Sequence, residues 1–222
     1  MTKQQTTLLE VKDLQVNYGP RQALAGLDLN LEEGQLLCLL GPSGCGKSTL
    51  LRAIAGFQNV SGGQIRLAQQ LLSGDGVNIA PEQRQIGMVF QDIALFPHLN
   101  VRDNIAFGLH KWSTKEAQQR VEYLLSMVDL TGFGDRYPYE LSGGQQQRVA
   151  LIRAIAPKGK LLLLDEPFSG LDAALREELV PQIATLLKRE RITGILVSHD
   201  QKEAFAFADQ IAVMNHGKIE QI

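Results

Sequence analysis

Leu36-Leu37-Cys38-Leu39-Leu40-Gly41-Pro42-Ser43-Gly44-Cys45-Gly46-Lys47-Ser48-Thr49 decides the fold. Its first residues, Leu36 to Leu40, are uniformly apolar, as in a central strand covered on both faces. Gly41 to Ser48 then match the pattern G-x-x-x-x-G-K-[ST]. The stretch from Lys47 reads as a helix that Gly56 ends. Strand, glycine-rich loop and helix in succession separate a phosphate-binding loop from a chance glycine-rich turn. In such a loop backbone N–H groups turn inward, at a helix N-terminus whose dipole favours anions. Lys47 adds a positive charge between β- and γ-phosphates, and Ser48 places a hydroxyl on Mg²⁺. Gly41, Pro42, Ser43, Gly44, Cys45, Gly46, Lys47, Ser48 and Thr49 are therefore candidate nucleotide-binding residues.

Working outward, Leu161-Leu162-Leu163-Leu164-Asp165-Glu166 reads as a buried strand that delivers two carboxylates at its C-terminal end. Asp165 is placed to reach magnesium through water, and Glu166 to orient and deprotonate an attacking water. A strand ending in Asp-Glu is, in isolation, often only the start of a solvated loop. The phosphate loop upstream and Pro167-Phe168-Ser169-Gly170-Leu171-Asp172 downstream favour the chemical reading. A third stretch, Leu141-Ser142-Gly143-Gly144-Gln145, puts Ser142 at the N-cap of a helix through Gln146, Arg148 and Leu151. Gly143 and Gly144 allow close backbone approach there. The chain thus carries two anion-binding helix termini, and one γ-phosphate fits between them if they come from different subunits.

The bulk properties set limits. A chain of 222 residues is long enough for one well-buried core. Its 44% hydrophobic and 21% charged residues are ordinary for a soluble globular protein. A net charge of −2 leaves no basic footprint for nucleic acid. No apolar run reaches the roughly 18 residues of a membrane span. Met1-Thr2-Lys3-Gln4-Gln5 is polar and lacks the apolar stretch of a signal peptide. Two cysteines make no disulfide framework, which suits a reduced, cytosolic setting.

Residues 14–18 and 27–31 alternate apolar and polar, as half-buried antiparallel strands do. Ser113-Thr114-Lys115-Glu116 has the form of a capping box, followed by Val121, Leu124, Leu125 and Val128 at helical spacing. Residues 92–155 are therefore expected to form a mostly helical subdomain inserted in a single domain spanning 1–222. Core strands return at 161–165, 195–197 and 211–214, and Asn215-His216-Gly217 turns into a last strand at 218–222.

The phosphate loop, the Leu161–Glu166 strand and Leu141-Ser142-Gly143-Gly144-Gln145 together resemble the ATP-binding cassette (ABC) ATPases, and the whole chain is similar to the nucleotide-binding subunit of an ABC importer. The resemblance implies an α/β P-loop fold: a RecA-like mixed sheet core, an antiparallel β subdomain and the inserted helical subdomain. It implies ATP and Mg²⁺ as ligands. Tyr18 matches the aromatic that stacks on adenine, although a tyrosine at a strand end is by itself ordinary packing. Gln91 matches the glutamine that contacts metal and lytic water and links the core to the helical subdomain. His199 matches the histidine that touches the γ-phosphate and positions Glu166; without the resemblance a histidine at a strand end reads as structural. Ser142, Gly143, Gly144 and Gln145 match the signature that binds ATP held by a second copy. Asp172 matches the residue that crosses between copies beside the partner's phosphate loop.

The same resemblance implies a homodimer around two ATP that hydrolyses ATP to drive separate integral membrane permease subunits. A periplasmic or extracellular binding protein would take part indirectly, and the chain would sit peripherally on the cytoplasmic face of the inner membrane. The region from Gln91 to Phe107 is where the family meets its membrane partner. Ile93, Leu95, Phe96 and Leu99 either receive that partner or belong to the subdomain core, and both readings stay open. Leu51 to Phe57, Asp92 to Leu99 and Leu171 to Glu177 resemble ferric-iron import ATPases most, with polyamine, sugar, sulfate and thiamine import ATPases close behind. None of these residues would touch the cargo, and four scattered histidines, His98 included, give no metal-ligand spacing. The family's importer ATPases usually continue past the position of Ile222 into a β-rich regulatory domain, where this sequence stops. ABC proteins of DNA repair split their motifs with a long coiled coil, and no sustained heptads occur here. Translation-factor types carry two cassettes and basic linkers, which this chain does not match.

Overall fold

The computed structural model describes residues 6–92 and 94–222. The polar start and Ile93, one of the apolar residues of the partner-facing group, lie outside the described residues. The chain opens with β1 (Thr7–Tyr18) and β2 (Arg21–Glu32), paired antiparallel from Thr7↔Glu32 to Tyr18↔Arg21. Both strands outrun their alternating stretches. In β1 the register shifts between Val11 and Leu14, and Asp13 takes φ 46. That irregularity moves the buried positions from Leu9 and Val11 to Leu14 and Val16, so simple alternation breaks in mid-strand.

β3 (Leu36–Leu40) runs into the glycine loop and α1 (Lys47–Ala55), which Gly56 ends at φ 90. β4 (Gly62–Leu67), β5 (Gln70–Gly74) and β6 (Val77–Asn78) extend the first hairpin into a five-stranded sheet ordered β2-β1-β4-β5-β6. Sequence reading did not single these strands out, because they are short and glutamine- and glycine-rich. β7 (Ile86–Val89) returns to the other sheet. The inserted segment follows with α2 (Val101–Ala106), α3 (Thr114–Met127) and α4 (Gly143–Ile155). The start of α3 has its capping box: Ser113 Oγ accepts from Glu116 N, and Glu116 Oε2 accepts from Ser113 N at 3.1 Å.

β8 (Leu161–Asp165), α5 (Ala173–Glu190), β9 (Thr193–Val197), α6 (Gln201–Phe207) and β10 (Gln210–Asn215) then alternate, and β11 (Lys218–Gln221) pairs back on β10. The resulting six-stranded sheet is ordered β11-β10-β3-β9-β8-β7, parallel except for β11. β9 therefore stands between the phosphate-loop strand β3 and the carboxylate strand β8.

This sheet is the middle layer, and its side chains divide by the two-residue period of a strand. Leu37, Leu39, Leu161, Leu163, Ile195 and Val197 join α1 and the antiparallel sheet in one apolar cluster. Leu36, Cys38, Leu162, Leu164 and Leu196 join the helices of the opposite face in the other. Cys38 is fully buried, and burial pushes its thiol up to about 12, so it carries no thiolate at neutral pH. Cys38 and Cys45 are both free thiols.

Arg84 holds the antiparallel layer to α1. It is 2% exposed. Its Nε donates to Ile79 O at 2.7 Å, Nη1 to Ala53 O and Ile54 O at 3.0 and 2.9 Å, and Nη2 to Ser73 Oγ and Asn78 Oδ1 at 2.8 and 2.9 Å. A cation thus meets the orphan carbonyls at the C-terminus of α1, where the helix dipole favours it. Gly56 makes room, since a Cβ there would stand 2.5 Å from Arg84 Nε. Replacing Arg84 by Leu removes the donor from Ile54 O and Ser73 Oγ and leaves Ala53 O only the N–H of Gly56. Urea denaturation of Arg84→Leu should show a loss of about 3 kcal/mol in unfolding free energy; a midpoint equal to wild type would refute this role.

Candidate active site

The phosphate loop is shaped by packing on both sides. Gly41 has φ 155, and a Cβ there would meet Met214 O at 2.2 Å. Gly46 has φ 111, and a Cβ there would meet Ala23 O at 2.8 Å. Strands β10 and β2 therefore hold the loop so closely that only glycine fits. Gly46 is also the N-cap of α1 and supplies no side-chain cap, so backbone N–H groups of the first turn are left to a ligand. Lys47, buried, donates from Nζ to Gly41 O and Pro42 O at 2.8 and 3.0 Å. A cavity of about 370 Å³ opens over the loop, lined by Tyr18, Arg21, Ser43, Gly44, Lys47, Ser48, Thr49 and Glu166 among others. Tyr18 stands exposed at the end of β1, on this cavity rather than in the core.

Ser48 Oγ donates to Asp165 Oδ1 at 2.8 Å. Asp165 ends β8 at 3% exposure, and burial raises its carboxyl above the ordinary aspartate value, against the Ser48 hydrogen bond that lowers it. A hydroxyl and a carboxylate oxygen side by side are hard donors that suit Mg²⁺, which keeps waters and substrate oxygens for its other positions. The residues present fit that ion. Glu166 follows at φ 49, a left-handed turn unusual for a side chain with a Cβ, and its N–H donates to Val197 O at 3.1 Å. Asp165 pairs with Val197 in register, so the strand ends of β8 and β9 come level. His199, two residues past β9, is thereby set with Nδ1 3.7 Å from Glu166 Oε2, its side chain 65% exposed.

The signature lies elsewhere on the molecule. Ser142 Oγ accepts from Gln145 N at 3.3 Å, and Gln145 Oε1 accepts from Ser142 N at 3.0 Å, a reciprocal cap for α4. Gly143 has open space where a Cβ would go. A Cβ on Gly144 would stand 3.2 Å from Leu171 and Leu175. The second glycine therefore serves packing within this chain, against the segment after Glu166. Asp172 Oδ1 accepts from Leu175 N at 2.9 Å and caps α5. The fold thus gathers Tyr18, the phosphate loop, Asp165, Glu166 and His199 around one site. Asp165 and His199 join the cavity over the loop through Ser48 and Glu166, whereas Ser142 to Gln145, Asp172 and the exposed Gln91 neither line it nor contact a residue that does through a side-chain hydrogen bond.

Three contributors escaped the sequence reading. Arg21 lines the cavity and donates from Nη2 to Gly44 O at 3.4 Å; its pairing with Tyr18 across the hairpin is the signal that could have found it. Gln147, buried in α4, donates from Nε2 to Pro167 O, bonding the signature helix to the segment after Glu166. Arg176 donates from Nη2 to Leu171 O at 2.9 Å in the same segment. For the last two no local pattern marks the role.

Residues 24–169 match the family model described as ABC transporter. The spermidine/putrescine import ATP-binding protein PotA of Chromobacterium violaceum is 50% identical over 97% of this chain and 59% of its own length. The sulfate/thiosulfate import ATP-binding protein CysA of Synechococcus elongatus is 50% identical over 100% of this chain and 64% of its own. The Fe(3+) ions import ATP-binding protein FbpC of Mesorhizobium japonicum is 51% identical over 97% of this chain and 60% of its own. The chain thus spans about three-fifths of the length of these relatives, and identity does not set the ferric-iron relatives apart from the other two. A dimeric ATP-binding cassette solved in a post-hydrolysis state, bound to ADP and Pi, superposes with a TM-score of 0.84 at 30% identity, covering 96% of this chain and 97% of that one. A dimeric bacterial ABC transporter cassette superposes equally well, at 0.84 and 30%.

The raised carboxyl of Asp165 has a consequence for stability. A group whose pKa is raised by folding favours the fold below its unfolded value, and this advantage is lost as pH rises through the folded value. At neutral pH the ionised Asp165 is therefore a cost in metal-free protein. In buffer with chelator, Asp165→Asn should melt above wild type at pH 7, with the gap closing as pH falls toward 4, while its ATP turnover with Mg²⁺ falls at least about tenfold. A variant that melts below wild type at pH 7 would refute the assignment.

Proposed function

We propose that this chain, which belongs to the ABC transporter family, hydrolyses ATP between two head-to-tail copies of itself and thereby drives import through separate membrane subunits. One observation carries the proposal. The loop site holds the phosphate cradle, Asp165, Glu166 and His199, while the second capped helix start, at Ser142, lies outside its cavity. A twofold pair brings the second terminus of one copy to the first site of the other, and an isologous pair completes both sites at once. The dimeric state of the two structural neighbours supports it.

Each residue then has a task. Tyr18 stacks on the base. The N–H groups of the phosphate loop and Lys47 hold the phosphates. Ser48 and Asp165, together with Gln91, would hold Mg²⁺, and the ion would supply charge neutralisation on the phosphate oxygens. Glu166 orients the attacking water and takes its proton on the carboxylate. His199 steadies Glu166 through Nδ1 and faces the γ-phosphate. Ser142, Gly143, Gly144 and Gln145 bind the partner's nucleotide, and Asp172 borders the partner's phosphate loop. Once the γ-phosphate is cleaved, nothing joins the two termini and the pair reopens.

No helix among the described residues is long and apolar enough to cross a membrane, so in this reading the transport path belongs to permease subunits. Half-buried Leu95, Phe96 and Leu99 and exposed Phe107, whose ring centroid is 4.5 Å from that of Phe96, form the surface we assign to that contact. The chain would work on the cytoplasmic face of the inner membrane, with a binding protein delivering cargo from outside. Ferric iron, polyamine and sulfate are the cargoes named for relatives of nearly equal identity, and we keep ferric iron as the working assignment.

Glu166→Gln should keep ATP affinity, lose on the order of 10²–10⁴ in turnover, and form a dimer with ATP in light scattering. Adding Ser142→Arg should abolish that dimer. Retained turnover would reject Glu166 as the base, and a dimer indifferent to Ser142→Arg would reject the shared site.

A further inference from the structure

A cavity of about 760 Å³ lies between α5 and α6, with His199 on its rim and Arg176, Asp200 and Glu203 in its wall. His199 itself is anchored weakly, 65% exposed and 3.7 Å from Glu166. Its neighbours in the chain are not. Ser198 Oγ donates to Glu203 Oε2 at 2.6 Å and accepts from Asp200 N at 2.9 Å. Glu203 is 7% exposed, and a buried carboxylate needs a cationic partner. Arg176 supplies it, with Nε 3.5 Å from Glu203 Oε1 and Nη1 3.4 Å from Asp200 Oδ2. The third arm, Nη2, donates at 2.9 Å to the carbonyl of Leu171, the residue before Asp172.

We propose that Arg176 is a positioning residue that ties the backbone beside Asp172 to the segment bearing His199, so that the placement of His199 against Glu166 follows the position of residues 169–172. The inference rests on the ATPase reading above, in which Asp172 borders the partner's phosphate loop. On that reading Arg176 makes turnover conditional on pairing: when the partner displaces or seats this segment, the guanidinium carries the change to Asp200 and Glu203, and through Ser198 and Asp200 to His199. Arginine is required because a planar guanidinium donates to Asp200 Oδ2 and Leu171 O in fixed relative positions while its charge stands 3.5 Å from Glu203, whereas the single ammonium of lysine does not.

The test is steady-state ATPase kinetics on wild type, Arg176→Ala, Arg176→Lys, His199→Ala and the double variant Arg176→Ala/His199→Ala. Both Arg176 variants should lose about 10- to 100-fold in kcat, with KM for ATP within about twofold, because nothing in the phosphate cradle changes. The double variant should be no slower than His199→Ala alone, because a residue acting through His199 has nothing left to position. Arg176→Lys keeps the charge against Glu203 and decides the matter if Arg176→Ala folds poorly. Wild-type kcat in Arg176→Lys, a loss confined to KM, or multiplicative losses in the double variant would each overturn the inference. Absence of turnover in wild type would instead refute the ATPase reading, and normal turnover in His199→Ala would refute the role of His199 and this inference with it.

Discussion

The hydrogen bond from Ser48 Oγ to Asp165 Oδ1, 2.8 Å long, is the contact on which the site depends. It joins the phosphate loop to the end of a strand that is not its neighbour in the sheet. With β9 between β3 and β8, the loop and Asp165 are separated by one strand width, and a third strand end becomes available between them. His199 uses that end. Were β8 paired directly with β3, Ser48 and Asp165 could still meet, but no strand would deliver a residue between the loop and Glu166. The strand order thus creates a three-part site from three parallel strand ends, the usual place for ligands in open α/β sheets. Its cost is a carboxylate held at 3% exposure, whose charged form burial disfavours.

A second regularity is that long polar side chains, more than apolar contact, fix one element to the next around the site. Arg84 closes the C-terminus of α1, Gln147 bonds α4 to Pro167 O, and Arg176 bonds α5 to Leu171 O. Each satisfies a backbone carbonyl at a helix end or in a turn, where no ladder partner exists. Arg120 does the same for Ile155 O and Ala156 O at the end of α4, backed by Glu190 at 2.6 Å. Apolar packing is indifferent to small slides, whereas a donor aimed at one carbonyl is not. The segment from Glu166 to Asp172, which has no regular structure, is therefore held by directional bonds from two different helices.

What was legible in the sequence is what is local. The glycines of the loop, the apolar runs of β3 and β8, and the caps at Ser113 and Ser142 each reside in a few consecutive residues, so spacing alone reveals them. β4, β5 and β6 were not legible, because the alternation of Gln64 to Leu67 is only four residues long, Gln69 and Gln70 interrupt it, and the pairing is settled by the edge that β1 offers. The irregularity at Asp13 hid half of β1 for the same reason. Arg84, Gln147 and Arg176 were opaque in a stricter sense: each acts on carbonyls that carry no sequence identity, in elements distant along the chain. Gly144 was legible as a glycine, but its close approach to Leu171 and Leu175 of the same chain was not, because those leucines lie about thirty residues further along.

The distribution of functional groups also explains why a single chain should be a poor enzyme in this reading. Glu166 sits in a left-handed turn with its nearest titratable partner, His199, at 3.7 Å, beyond hydrogen-bond reach. The Ser142 terminus is capped and ready, yet away from the loop it would complement. Each half is preorganised by contacts internal to one chain, so pairing need not build a site; it only has to bring two rigid halves into register and shorten one contact. On that reading the division itself keeps hydrolysis low in the unpaired chain. It also places control at the turn between Glu166 and Asp172, where Gln147 from the signature helix and Arg176 from α5 both hold the backbone.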